Sequence, residues 1–97
     1  MDFINSKQDL INYFQEGCKT KDQLSIGVEH EKFLFDDNSN QRVNFETISK
    51  VFNFLEKFGW QPIKEKNNTI ALKRENQSIT LEPGNQVELS GAKLKSI

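Results

Sequence analysis

Between Trp60 and Ser90 the chain reads WQPIKEKNNTIALKRENQSITLEPGNQVELS, and this stretch decides the fold. It divides into three runs, Trp60 to Lys66, Thr69 to Glu75 and Ser78 to Ser90, whose alternation of apolar and polar side chains is that of strands with one buried face. Asn67-Asn68 joins the first two, a pair suited to the positive φ angles of a tight hairpin. Asn76-Gln77 makes the next short connection, so the three strands form an antiparallel meander. In the last run Thr80, Glu82, Gln86, Glu88 and Ser90 share one parity, opposite Ile79, Leu81, Val87 and Leu89. Pro83-Gly84 places a bend or bulge within that strand, which can shift its register by one residue.

Working upstream, Gly59 ends a helix that starts near Asn44 and carries a wide apolar stripe of Phe45, Ile48, Val51, Phe52, Leu55 and Phe58. This stripe reads as core, with Trp60 anchoring the helix against the sheet. Asp37-Asn38-Ser39-Asn40 is a turn cluster, because these short side chains bond their own backbone. Between Gln23 and Asp36 the period is again 2, which predicts a strand with Leu24, Ile26 and Val28 on one face and Ser25, Gly27, Glu29 and Glu31 on the other. Ser6-Lys7-Gln8-Asp9 has capping-box spacing and predicts a helix over about 6–16, with Gly17 as a left-handed stop. The expected fold is α+β: an antiparallel sheet with helices on one face and the opposite face free for chemistry.

With 97 residues and no linker or repeat, positions 1–97 read as a single unit. Thirteen Lys and Arg against 14 Asp and Glu give a net charge of -1, which removes the electrostatic footprint of a nucleic-acid binder. Apolar stretches are too short for a membrane span, and Met1 to Asn5 open no apolar leader, so a cytoplasmic location is expected. The one cysteine, Cys18, excludes an intrachain disulfide, and there is no Cys/His spacing for zinc.

Glu29 and Glu31 lie two apart on a strand, so their carboxylates leave one face with Cα atoms roughly 6.5 to 7 Å apart. Glu is depleted in strands, and like charges at this spacing repel. Alternation alone suits a solvated strand face. A divalent cation would reverse the sign of the repulsion, and carboxylates combined with substrate phosphates are the usual way of holding Mg²⁺.

Two segments carry a resemblance. Ile26-Gly27-Val28-Glu29-His30-Glu31-Lys32-Phe33 is similar to the Gly-x-Glu-His-Glu-Lys-Phe signature of plant-type and proteobacterial glutamate-cysteine ligases. Ile79-Thr80-Leu81-Glu82-Pro83-Gly84-Asn85-Gln86-Val87-Glu88-Leu89-Ser90-Gly91-Ala92 resembles that family's Thr-Leu-Glu-Pro-Gly-Gly-Gln-x-Glu-Leu-Ser-Gly segment. The likeness covers essentially the whole chain. Asn85 replaces the family's second Gly and Val87 a common aromatic; Asn is among the better substitutes at positive φ.

The resemblance implies part of a glutamine-synthetase-like catalytic domain and the ATP-dependent joining of the glutamate γ-carboxyl to cysteine, the first step of glutathione synthesis. It implies Glu29, Glu31, Glu82 and Glu88 as Mg²⁺ and nucleotide carboxylates, with Gln86 a polar neighbour in the substrate region and no covalent catalytic residue. Glutamate, cysteine and ATP are the implied small-molecule substrates, with no nucleic-acid or membrane partner. Because the family's enzymes are much longer, the chain resembles an amino-terminal fragment, inactive without the remainder of the ligase. Another carboxylate-amine ligase of the superfamily and a non-catalytic remnant or interaction module are the alternatives. His30 and Lys32 fall on the parity away from the acids, His30 reading as a packing residue and Lys32 as a snorkelling one. Cys18 reads as a plain thiol, and Lys64, Lys66, Lys73 and Arg74 as a solvated hairpin rim.

Overall fold

A computed structural model describes residues 3–97. Met1 and Asp2, part of the segment inspected for a leader, lie outside the described residues. Helix α1 spans Lys7–Glu16 and opens as its sequence requires, with Ser6 Oγ accepting the Asp9 N–H at 3.1 Å. Gly17 is not a left-handed stop: its φ is -75°. The helix tightens instead through bonds from Gly17 N to Phe14 O and from Cys18 N to Gln15 O, which satisfy late carbonyls without a change of hand. This helix buries none of its residues, so it covers no sheet face, contrary to the expected helices on one face.

The strand expected over 23–36 shortens to β1, Glu29–Phe33. Lys21–Gln23 instead form a 3₁₀ turn closed by a Thr20/Gln23 capping box. Further pairing upstream is limited to a bridge between Ile26 and Leu94, and Leu24, Ile26 and Val28 are exposed. A strand needs a partner, and the neighbouring strand ends opposite Glu29. The polar turn forms around Asp36, whose Oδ1 accepts from Asn38 N, Ser39 N and Ser39 Oγ at 2.9, 2.8 and 3.1 Å.

Helix α2, Phe45–Leu55, is capped by Asn44 Oδ1 on Thr47 N at 3.0 Å. It runs on into a 3₁₀ turn that Gly59 ends at φ 87°, a left-handed stop as the sequence predicts. Strands β2 (Gln61–Glu65), β3 (Asn68–Arg74), β4 (Gln77–Glu82) and β5 (Gln86–Ser90) complete an antiparallel sheet of order β1-β5-β4-β3-β2. The β2–β3 turn is Lys66-Asn67, with Lys66 at φ 56°, one residue earlier than expected. The next turn, Glu75-Asn76, is displaced the same way, with Glu75 at φ 53°.

The largest departure is at Ser78 to Ser90, which is two strands and not one. Pro83–Asn85 make a 3₁₀ turn, with Gly84 at φ 73° and Asn85 at φ 59°, and this reverses the chain where a bulge was expected. Asn85 thus adopts the positive φ that its place in the Pro-Gly-Asn run requires.

Ile48, Phe52, Trp60, Leu72 and Ile79 form the core between α2 and the sheet. Ile48, Phe52 and Leu72 are fully buried, each contributing about 1.5 to 3 kcal/mol of transfer free energy. Trp60 anchors the helix as expected. The stripe is wider than the seam behind it, however, and Val51 and Phe58 are exposed, Phe58 resting edge-on against Phe54.

Candidate active site

In an antiparallel sheet, residues directly opposite one another point to the same face. The register therefore assembles three rows. Glu29 stands opposite Ser90, which stands opposite Ser78 and then Lys73; Glu31 stands opposite Glu88, then Thr80; Phe33 stands opposite Gln86, then Glu82. Glu29, Glu31, Glu82, Gln86 and Glu88 accordingly share one face, and it is the face away from α2. The reversal at Pro83–Asn85 preserves their common parity but sets Glu82 and Gln86 side by side instead of in line. His30 and Lys32 fall on the other face, lining an apolar cleft with Leu34, Phe52, Ile79 and Val87.

The acids interact. Glu31 is held above its ordinary carboxyl value first by a hydrogen bond shared with Glu88, then by desolvation, and then by the negative charges of Glu88, Glu82 and Glu29. Two of the acids are oriented by hydroxyls two residues away: Thr80 Oγ1 donates to Glu82 Oε1 and Ser90 Oγ to Glu88 Oε1, each at 2.8 Å. Gln86 Nε2 donates to Pro83 O at 3.2 Å.

Arg42, which the sequence reading passed over, closes one end of this face. Its guanidinium donates through Nη2 to Gly84 O and lies over the Phe33 ring, 4.1 Å from the centroid. It ties the β4–β5 turn to β1 from a loop 42 positions away, and no local pattern marks it. Arg74 is exposed beside the β3–β4 turn, as the sequence predicts, yet it is more than a solvated charge. Strand alternation turns it to the helix side, where it stacks on Trp60 at 4.6 Å and donates to Phe58 O at 3.2 Å.

The face offers hard oxygen donors, four carboxylates and two aligned hydroxyls, with one carboxyl already destabilised as an anion by its neighbours. Among the described residues no three His, Cys, Asp or Glu side chains are grouped closely enough to hold an ion between them. The donor set suits a cation taken by a carboxylate pair and completed by oxygens of a ligand.

Residues 25–97 match the family model of glutamate-cysteine ligase family 2. The chain belongs to that family. Similar proteins include the chloroplastic glutamate–cysteine ligase of Medicago truncatula, 50% identical over 93 residues, a match covering 95% of this chain and 18% of that enzyme. The chloroplastic ligase A of Oryza sativa subsp. japonica is 46% identical over 95% of this chain and 19% of its own length, and that of Arabidopsis thaliana 45% identical over 95% and 18%. The chain thus spans about a fifth of the length of these glutamate-cysteine ligase relatives. Their chloroplast location overturns the cytoplasmic expectation. That expectation rested on the lack of an apolar leader, and plastid targeting uses amphipathic, Ser-rich and Arg-rich segments that such a reading does not register.

Proposed function

We propose that this chain supplies the nucleotide-and-metal face of an ATP-dependent ligase that joins the γ-carboxyl of glutamate to the amino group of cysteine, the first step of glutathione synthesis. The observation that carries the reading is the Glu31–Glu88 pair: two carboxyls directly opposite on neighbouring strands, sharing a hydrogen bond and flanked by Glu82 and Glu29. Like charges opposite one another destabilise a sheet, so the fold tolerates an arrangement that a bound cation would relieve. Glu31 and Glu88 would hold Mg²⁺, with Glu29 and Glu82 at the flanks and the remaining positions filled by ATP phosphate oxygens and water. When bound, that ion supplies positive charge to offset the negative charge on the transferring phosphoryl oxygens.

The protein groups orient and hold. Thr80 and Ser90 fix the carboxylates of Glu82 and Glu88, and Arg42 fixes the turn from which Gln86 starts. In the reaction the glutamate γ-carboxylate takes the terminal phosphoryl of ATP and releases ADP. The cysteine amine then displaces phosphate from the acyl phosphate and gives up a proton, so the amide forms without a covalent enzyme intermediate.

The test compares the two faces of one strand in the protein carrying this chain. Glu29→Gln should cut turnover with glutamate, cysteine and Mg²⁺-ATP by about 10²-fold or more, as loss of a charge-stabilising group does. Lys32→Gln, on the helix face, should leave turnover within about twofold, the effect of an ordinary surface change. Equal small effects from both would overturn the assignment of the face.

A further inference from the structure

One row of the sheet records how far α2 reaches. Leu72, Ile79, Leu89 and His30 stand directly opposite one another on β3, β4, β5 and β1, all toward the helix side. Their exposure climbs in that order: Leu72 is 0% exposed, Ile79 9% and Leu89 39%, and His30 is exposed. The next row repeats it, with Leu81 and Val87 half-buried and Lys32 exposed. The cause is width. Five strands at about 4.8 Å spacing span roughly 19 Å between the outer two, whereas one helix is about 10 Å across. α2 packs against β3, so the half of the sheet over β5 and β1 has no cover among the described residues. Between this bare half and the flank of α2 runs a cleft of about 440 Å³, walled by Val51 and Leu55 of α2 and by Val87 and Leu89 of β5, with His30 and Lys32 on its β1 margin.

We infer that this cleft seats a second helix alongside α2, supplied by the part of the ligase chain outside these 97 residues. Helices pack side by side at about 8 to 10 Å, which sets a neighbour of α2 over β5 and β1. From His30 to Leu34 the chain advances roughly 14 Å, the rise of about nine helical residues. The occupant is therefore an amphipathic helix of two to three turns, its apolar stripe on Leu89, Val87 and Val51 and an acidic side chain toward Lys32. Helix α1 does not fill the seat, for it lies off the sheet with none of its residues buried. Nor does the seat suit a second copy, since a footprint of roughly 14 by 10 Å is far below the about 800 Å² that each partner gives to a stable interface. The chain spans 18–19% of the relatives' length, so about four-fifths of such a protein lies elsewhere, and a sheet layer is covered by layers of its own domain. The seat stands apart from the reaction. Its consequence rests on the ligase reading: a helix pressed on Leu89 and His30 fixes β5 against β1, the two strands that set Glu88 opposite Glu31.

The experiment introduces Leu89→Cys and Val51→Cys singly into the protein carrying this chain and follows maleimide labelling peptide by peptide, apart from the exposed Cys18. Both positions should label at least about tenfold more slowly than in the urea-unfolded protein, the protection that closed local structure gives. Labelling at the unfolded rate would leave the cleft open and overturn the inference. With p-benzoylphenylalanine replacing Leu89, photo-cross-linking to a segment of the same polypeptide outside residues 1–97 identifies the occupant; cross-linking to α1 or to a second copy, or none at all, overturns it. Val51→Asp puts a charge in the seat without touching the acidic face, and should cut turnover by about tenfold or more, as small misplacements at a distance do. Unaltered circular dichroism would show that the variants fold. Protected cysteines with full turnover in Val51→Asp keep the seat and remove its hold on the reaction. Protected cysteines in a protein without ligase turnover keep the seat and remove the ligase reading.

Discussion

The two faces of the sheet are written by the same five strands and obey opposite rules. On the helix side, Leu72 and Ile79 meet Ile48 and Phe52 of α2, and Arg74 caps Trp60 with its guanidinium plane. The core groups there pack so as to lower the free energy of the folded state. On the far side Glu31 faces Glu88, with Glu29 and Glu82 close enough to raise its proton affinity. Those residues oppose the fold they sit on. A surface selected only for solubility would intersperse charges of both signs, whereas here the acids gather over β1, β4 and β5 and the lysines stand apart at the β3 end. The difference separates residues that make the structure from residues that use it.

The comparison breaks first if the helix side does not carry the stability. Phe52→Ala removes a fully buried ring from the centre of the core, and should cost about 3 to 5 kcal/mol in denaturant unfolding. Loss of less than about 1 kcal/mol, the range of surface substitutions, would mean that α2 rests only loosely on the sheet.

The acidic side should answer with the opposite sign. Glu31→Gln removes one of the opposed carboxylates while keeping its shape, so turnover should fall by about 10²-fold as melting temperature rises at neutral pH. The pH dependence follows from the direction of the shift. Because the folded state raises the Glu31 proton affinity above its ordinary value of 4.5, its stabilising contribution is complete below that value and is lost as pH rises through the folded one. Thermal melts of the original protein should therefore gain less on going from acid to neutral pH than those of Glu31→Gln. Parallel curves would show that the carboxylates do not strain the fold.

Much of this was legible because alternation along a strand is strict. Parity put Glu29 with Glu31, and Glu82 with Gln86 and Glu88, before any strand order was known; that the two sets belong together came from the resemblance, and the register brings them to one face. That parity outlasted a wrong topology: one bent strand became two, yet Glu82 and Gln86 are four apart, and the three-residue turn brings them opposite each other. Turn geometry was not legible, since Lys66 takes the positive φ expected of Asn67-Asn68, and Glu75 takes one just before the connection expected at Asn76-Gln77. Lys73 and Arg74 were grouped by charge, although adjacent strand residues must part to opposite faces. Arg42 was invisible because its partners, Phe33 and the Gly84 carbonyl, meet it only after the Asp36 turn folds back.

That turn gives the mildest test and sharpens the contrast of sign. Asp36 is held below its ordinary value of 3.8, first by the Ser39 N–H, then by the Ser39 hydroxyl and the Asn38 N–H. A depressed carboxyl contributes stability above its unfolded value and loses it as pH falls through the folded one, the reverse of Glu31. Asp36→Asn should therefore lower the melting temperature by a few degrees at most near pH 7, with the gap closing as pH falls below 3.8 and the native carboxyl protonates. Glu31→Gln should show its gap in the other direction over the same titration. A gap for Asp36→Asn that stays constant across the range would mean the turn is held by the shape of the side chain and not by its charge. Two carboxyls of one chain moving stability in opposite directions is the signature expected when one of them closes a loop and the other faces its own kind of charge.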